Sequence, residues 1–396
     1  MFADPATCDN GKKCYWSGEY EESKGPSLPQ RIRISDSSVE RVRQLPTVRE
    51  AALFEALDHG AVRCRLCERL CALRPGEVGD CKARANLDGT LYTLAYGNLS
   101  AIESRPIEIK PFFHYWPGST ALTFSTWSCN LDCDWCQNYS LSKTPPNGLN
   151  SMYYSPDEIV EMALNRGDEG LCASFQEPTL LTEWVARTFT IAHRKGLYCC
   201  FVSNGYMTLE ALRYLADHGL DAIKIDVKGD SDTYRRYCRG VRGADVVWRN
   251  AGEAKRLGLH VEMVNLLVTG INDDEASLSE LVQRHIKEVG VETPLHFTRY
   301  YPAYKFERRP TEVASLELAY RIARSRGILF PYVGNVTGHP YENTYCPQCK
   351  ALLILRDGWR LKKWNVAEDQ RCPTCYFQIP ITGSHVYKRP RSKLWA

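Results

Sequence analysis

From about residue 119 onward, short apolar runs recur at regular intervals, separated by amphipathic stretches. The runs ALTFST (121–126), LCASF (171–175), LYCCFVS (197–203), DAIKIDV (221–227), VEMVNLLV (261–268), TPLHFT (293–298) and ILFPYV (328–333) read as strands. Helix-like segments lie between them. SPDEIVEMALNRG carries Ser155 as its cap and Pro156 in the first turn, and TLEALRYLADHG and SLSELVQRHIKEVG have the same character. Each repeat is about 30 residues, the size of one βα unit. Such alternation predicts an α/β fold with a mainly parallel sheet. A doubly wound sheet and an open or closed barrel both fit the pattern.

The flanks are patterned differently. Residues 1–60 are polar, and within them Thr47 to His59 predicts a helix ended by Gly60. The stretch GTLYTLAYGN alternates like a strand or hairpin. Near the C-terminus, ALLILRDGWRLKKWNV predicts a hairpin turning at Asp357-Gly358. Four regions follow: an N-terminal extension (1–60), a cysteine-bearing module (61–118), the repeating core (119–335) and a terminal module (336–396).

Composition sharpens this picture through one residue type. The chain has 396 residues, 44% of them hydrophobic, which is enough for a sizeable core. A net charge of +3 is too mild to argue for nucleic acid. No apolar run approaches the about 18 residues of a membrane span. The N-terminus lacks the apolar stretch of a signal peptide, so a cytoplasmic location is the expectation. In a reducing compartment 17 cysteines are not a disulfide framework, and their short-spaced grouping points to metals. Cys64, Cys67, Cys71 and Cys81, with turns at Gly76 and Gly79, predict a four-thiolate module holding structural zinc or, alternatively, an iron–sulfur cluster. Cys346, Cys349, Cys372 and Cys375 have the two-knuckle spacing of a zinc ribbon. Cys8 and Cys14 read as plain thiols, and Cys172, Cys199 and Cys200 as buried strand thiols.

The third group has three members. Cys129, Cys133 and Cys136 are spaced C-x3-C-x2-C directly after the strand ALTFST, where barrels and open sheets keep their chemistry. Three thiolates hold three irons of a [4Fe–4S] cluster and leave the fourth iron open; a three-cysteine zinc site completed by a distant ligand is the alternative. Further polar segments follow successive strands: SFQEPT with Glu177, VSNGY with Ser203, Asn204 and Gly205, IDVKG with Asp226 and Lys228, and VNLLVTG with Asn265. Asp226 and Lys228 stand two apart and share a strand face. His114 is either packed in an aromatic belt or a donor near the cluster, and His296 lies near a strand end. Tyr300, Tyr301 and Tyr304 follow it as candidates for a substrate mouth.

The cysteine spacing with Trp135 before the last cysteine resembles the signature of radical S-adenosylmethionine enzymes. From about residue 61 the chain resembles the pyruvate formate-lyase activase-like radical enzyme of the AmmeMemoRadiSam system, on CRLCERLCALRPGEVGDC, AYGNLSAIESRPIEIKPFFHYWPG, CNLDCDWCQNYSLS, SFQEPT, VSNGY, IDVKG and YVGNVTGH. The C-terminal ribbon is similar to extensions of archaeal members. The family commonly has DPIEKKP where this chain has SRPIEIKP, so Arg105 and Ile109 depart from its pattern, while Glu108 and Lys110 are expected to shape the approach to the cluster.

The resemblance implies a partial (β/α)6 TIM-like radical SAM barrel with an N-terminal four-cysteine module and a C-terminal zinc-ribbon-like module. It implies that the open iron of the cluster on Cys129, Cys133 and Cys136 binds S-adenosylmethionine, that one electron cleaves the sulfonium, and that the 5′-deoxyadenosyl radical abstracts hydrogen. Trp135, Glu177, Ser203, Asn204, Asp226, Lys228 and Asn265 are the expected cofactor contacts. A low-potential electron donor is implied, with a possible protein substrate and Memo-like or AMMECR1-like partners. The competing reading is a non-catalytic zinc or iron–sulfur scaffold that binds protein or nucleic acid.

Overall fold

The computed structural model describes residues 31–146 and 152–387. Cys8, Cys14 and most of the basic tail lie outside that range. The central sheet has eight strands: β1 (Ala101–Pro106), β2 (Thr120–Ser125), β3 (Gly170–Ala173), β4 (Tyr198–Ser203), β5 (Ala222–Val227), β6 (His260–Leu267), β7 (Leu295–Arg299) and β8 (Pro331–Gly334). They lie in sequence order, β1 antiparallel to β2 and every later pair parallel. The two edge strands do not pair with each other, so the sheet is an open, partial barrel. Seven parallel strands replace the six expected.

Local chemistry explains the covering helices. Ser155 accepts from the Glu158 amide while Glu158 reaches back to the Ser155 amide, a complete capping box before Pro156–Arg166. Thr208 and Asp274 cap Leu209–Asp217 and Glu275–Val289 by accepting first-turn amides on their side chains, without the reciprocal bond. The apolar faces of these helices bury against the outward face of the sheet, where Phe124, Leu171, Phe201, Ile223, Met263 and Phe297 share one core with Trp184, Leu212 and Leu278.

The helix expected over Thr47–His59 does not form. Phe54–Ala56 is a strand, antiparallel to Val62–Cys64, and Asp58–Gly60 is a single 3-10 turn. Leu53 and Ala51 face the core in an extended frame, so tertiary pairing overrides the local helical spacing. The helix of this region lies earlier, at Asp36–Arg43. The stretch from Gly89 expected as a strand or hairpin supplies one strand, Thr90–Thr93, whose partner Arg84–Leu87 lies ahead of it. The C-terminal hairpin turns at Gly358 and Trp359, since Asp357 pairs with Arg360.

The N-terminal four-cysteine module is corrected. Cys64, Cys71 and Cys81 are buried in the same core as the barrel, together with Leu66, Leu73 and Ala83. Cys64 donates its amide to the Cys71 carbonyl and Cys67 bridges Met207 beyond β4. The segment packs on the barrel through these apolar residues. Its sulfurs line an enclosed apolar pocket beside Arg84 and are not gathered at single-ion spacing. Among the described residues, the compact four-sulfur group is the C-terminal one: Cys346, Cys349, Cys372 and Cys375 lie within 4.8 Å of one another.

The amino-terminal end of the barrel is closed. Phe112, Tyr115 and Ile107 pack with Ala121, Cys172, Cys200 and Ala222 inside it. Below them, the ribbon is joined to the barrel by a buried polar chain. His114 Nδ1 lies 3.1 Å from the Pro380 carbonyl, which only accepts, so Nε2 accepts from the Tyr332 hydroxyl at 2.6 Å. Tyr332 then accepts from Thr344, which also receives Arg356 at 2.8 Å. Arg356 covers the Phe113 ring at 4.1 Å. Glu262 accepts from the His114 amide and from His296 at 2.7 Å each.

Burial holds His114 down at about 3 and His285 at about 4. Both are depressed below the ordinary histidine value of about 6.5, so on acidification the unfolded chain gains protons that the folded chain refuses. Stability is expected to fall as pH drops below about 6.5, by about 2 kcal/mol per histidine at about pH 5. Urea midpoints of wild type and His114→Asn between about pH 7 and pH 5 check this; equal slopes would show that His114 is not involved.

Candidate active site at the carboxyl end of the barrel

β2 runs into the cysteine loop without an intervening turn. Ser128, in the left-handed region at φ 69°, redirects the chain and donates its hydroxyl to the Cys81 carbonyl. The loop is then fixed to the barrel by backbone bonds. Asp132 and Asp134 donate their amides to Cys238 and Tyr237, and Lys305 donates its amide to Asp134, each at 2.9 Å.

Each of the three sulfurs has its own setting. Cys129 Sγ accepts from the Leu131 amide at 3.4 Å and faces Asn204 Nδ2 at 3.7 Å. Cys136 Sγ lies 3.1 Å from the Ser142 hydroxyl. Cys133 is buried beside Cys238. The Cys238 hydrogen bond draws the Cys133 thiol down to about 7, against the effect of burial and aided by the Lys228 cation. These three are not gathered within 4.8 Å, the single-ion criterion that the C-terminal group meets. A soft, all-thiolate set with wider spacing and amide donors to sulfur fits an iron–sulfur cluster.

The remaining candidates fall into two groups. Glu177, Ser203 and Asn204 join the ends of β3 and β4. Glu177 is fully buried and accepts from the Thr179 amide and hydroxyl, from Ser203 Oγ at 2.9 Å and from the Asn204 amide at 2.8 Å. Burial raises its pKa while these donors oppose the rise. Here Glu177 acts as a strut between strand ends. Asn204 passes the contact on, its Nδ2 donating to Asn130 Oδ1 at 2.8 Å inside the cysteine loop. Gly205 has φ 68°, and a Cβ there would stand 2.8 Å from Ile225, so the close approach it permits is to the neighbouring strand.

Asp226 and Lys228 face the barrel interior together with Lys224, which pairs with Asp226. Burial pushes Asp226 up, but Lys224 and Lys228 outweigh it and hold the carboxyl below its usual range. Burial alone would lower Lys228, yet Asp226 and the Cys133 thiol hold it well above the ordinary lysine value. Asn265 pairs in register with Val227, on the opposite face, and donates to the Val227 carbonyl. Trp135 is buried between Tyr237 and Phe306, each ring 5.5 Å away, and shields the loop.

Glu108, Lys110, His296 and Tyr300 are placed differently from expectation, while His114 takes the packed, aromatic alternative. Glu108 and Lys110 lie at the closed end, because Pro106 pairs with Thr120 at the start of β2. There Glu108 accepts from the Gly118 amide at 2.6 Å, and burial pushes its carboxyl up to about 7. His114 and His296 belong to the buried network that joins the ribbon. Tyr300 is buried and bonds the Phe306 carbonyl, leaving Tyr301 and Tyr304 toward the outside. Lys224 was missed, although its two-residue offset from Asp226 is legible; nothing in the sequence marks Cys238 as the neighbour of Cys133.

At the ribbon, Cys346 and Cys375 sulfurs are 3.4 Å apart and Cys349 and Cys372 sulfurs 3.6 Å. Burial raises Cys372, but the amides of Cys375 and Thr374 and the neighbouring thiols bring it to about 6, which favours a thiolate.

A family comparison agrees with this geometry: residues 125–283 match the model of the radical SAM superfamily. More specifically, the chain belongs to the family of the "Uncharacterized protein MJ0808" of Methanocaldococcus jannaschii. The two are 38% identical over 336 residues, 84% of this chain and 99% of that one. A GTP 3′,8-cyclase of Limosilactobacillus fermentum is 25% identical over 263 residues, covering 58% of this chain and 74% of its own. A radical SAM methyltransferase from Sphaerobacter thermophilus superposes with a TM-score of 0.43 at 15% identity, covering 78% of this chain and 83% of that one. No helix among the described residues is long and apolar enough to cross a membrane.

Proposed function

We propose that Cys129, Cys133 and Cys136 hold a site-differentiated [4Fe–4S] cluster whose open iron takes S-adenosylmethionine. When bound, the pair supplies one-electron cleavage of the sulfonium and a 5′-deoxyadenosyl radical that takes hydrogen from a substrate. The observation that carries this reading is the three-thiolate loop at the end of β2, with Asn204 bonded to its Asn130 and Lys228 facing Cys133. The chain's own part is positioning. Asn204 and the Leu131 amide orient the Cys129 sulfur, Asp226 and Lys228 offer opposite charges to the amino-acid end of the cofactor, and Trp135 with Phe306 excludes water. Glu177 sets the β3–β4 edge. Resemblance of the ordered motifs supports an activase-like member of the AmmeMemoRadiSam type acting on a protein, with Memo-like or AMMECR1-like partners. The C-terminal four-cysteine group is proposed to hold structural zinc.

Anaerobic reconstitution with iron and sulfide tests the reading. About four irons at the loop and 5′-deoxyadenosine from S-adenosylmethionine and reductant are the expected result. Zinc alone at the loop, with no cofactor binding, would instead establish a scaffold.

A further inference from the structure

Residues 235–242, RRYCRGVR, place four arginines within eight positions. The backbone bonds from Asp132 and Asp134 to Cys238 and Tyr237 fix this segment against the cysteine loop. Around the loop, seven cations share four carboxylates. Asp132 takes Lys143 and Lys305, Asp232 takes Arg235 and Arg236, Glu68 takes Arg242 and Arg249, and Asp134 takes Arg239. Several of these cations are open to solvent, Arg235 at 58%, Arg236 at 69% and Lys305 at 53% exposure.

An aromatic pair stands among them. Tyr139, three residues after Cys136, stacks on Tyr304 with ring centroids 5.4 Å apart, and is 47% exposed. Lys305 and Lys143 lie over the Tyr304 ring at 4.8 and 5.7 Å. An exposed aromatic centre with a cationic rim has the anatomy of a transient protein contact selective for acidic partners.

We infer that this face docks the electron donor, a small acidic protein carrying a low-potential one-electron centre. The inference rests on the cluster assignment above. In the step it serves, one electron leaves the reduced donor and takes the cluster from its 2+ to its 1+ state, with no bond made in either protein. Excess positive charge steers the encounter, and the tyrosine pair seats the donor beside the loop that holds Cys133 and Cys136.

The test uses the reconstituted full chain without substrate, and follows cluster bleaching after mixing with a reduced acidic ferredoxin or, separately, with dithionite. Wild-type reduction by ferredoxin should slow as ionic strength rises. The variant Arg235→Ser/Arg236→Ser/Lys305→Ser should be reduced by ferredoxin about tenfold more slowly, the lower end of electrostatic steering, with its dithionite rate unchanged. Tyr139→Ser should also slow ferredoxin alone. Equal ferredoxin rates in wild type and variants would overturn the inference, as would a matching loss with dithionite, which would mean that these residues support the cluster itself. The dithionite arm on wild type reads the cluster assignment separately, since a chain with no reducible cluster there defeats that assignment first.

Discussion

Cys129→Ala protein, reconstituted anaerobically, is expected to lose 5′-deoxyadenosine formation to background while keeping its fold. The loss follows from the proposed assignment: with three thiolates as the whole protein contribution to the cluster, a missing one leaves two irons without a protein ligand. The fold should survive because the Cys129 sulfur makes only long contacts, to the Leu131 amide at 3.4 Å and Asn204 at 3.7 Å, and the loop is anchored independently through Asp132, Asp134 and Ser128. Iron content, the reduced-cluster EPR signal and thermal midpoint separate the two effects. Cys129 is the informative choice, because at position 133 the adjacent Cys238 thiol can substitute as ligand. Normal product formation by Cys129→Ala would remove the loop from the chemistry.

Cys372→Ser is expected to have the opposite profile: a severe loss of stability, more than about 4 kcal/mol, the range of structural-metal lesions. The effect should spread beyond the ribbon. Thr344, Arg356 and Pro380 complete the hydrogen bonds of His114 and Tyr332 inside the barrel, so releasing the ribbon strands buried polar groups in a dry interior. Hydrogen exchange should therefore rise at β7 and β8 as well as at Leu352–Asp357, and a chelator acting on wild type should reproduce the pattern. A melt confined to residues 344–387 would show that the ribbon is an independent appendage.

The core repeat was legible because its strands are buried on both faces and so read as unbroken apolar runs, each punctuated by a capped helix. The cysteine loop was legible because its three cysteines are close in sequence. What could not be read were contacts made across the chain. Phe54–Ala56 has helical spacing yet pairs with Val62–Cys64, and only the partner strand decides the matter. Cys64, Cys67, Cys71 and Cys81 have ligand-like spacing, but Leu66, Leu73 and Ala83 carry the same segment into the barrel core. Glu177 was singled out by its place after β3 as a cofactor contact; that its oxygens are met by Thr179, Ser203 and Asn204 depends on the fold. Cys238 reaches Cys133 through a loop 105 positions away in sequence, a distance at which no spacing rule operates.

The plugged floor of the barrel has a kinetic meaning. Among the described residues, Phe112, Tyr115 and the ribbon fill the amino-terminal end of the barrel, which leaves the cysteine-loop end as the way in. On the proposed reading, cofactor, substrate and electron all use it, and spent methionine and 5′-deoxyadenosine leave by it. Traffic through one doorway must be ordered: a bulky substrate seated across it traps the cofactor behind it, and products cannot clear until it departs. Turnover should then be limited by the exchange of partners at the entrance, and a large excess of substrate should slow the first electron instead of hastening the cycle.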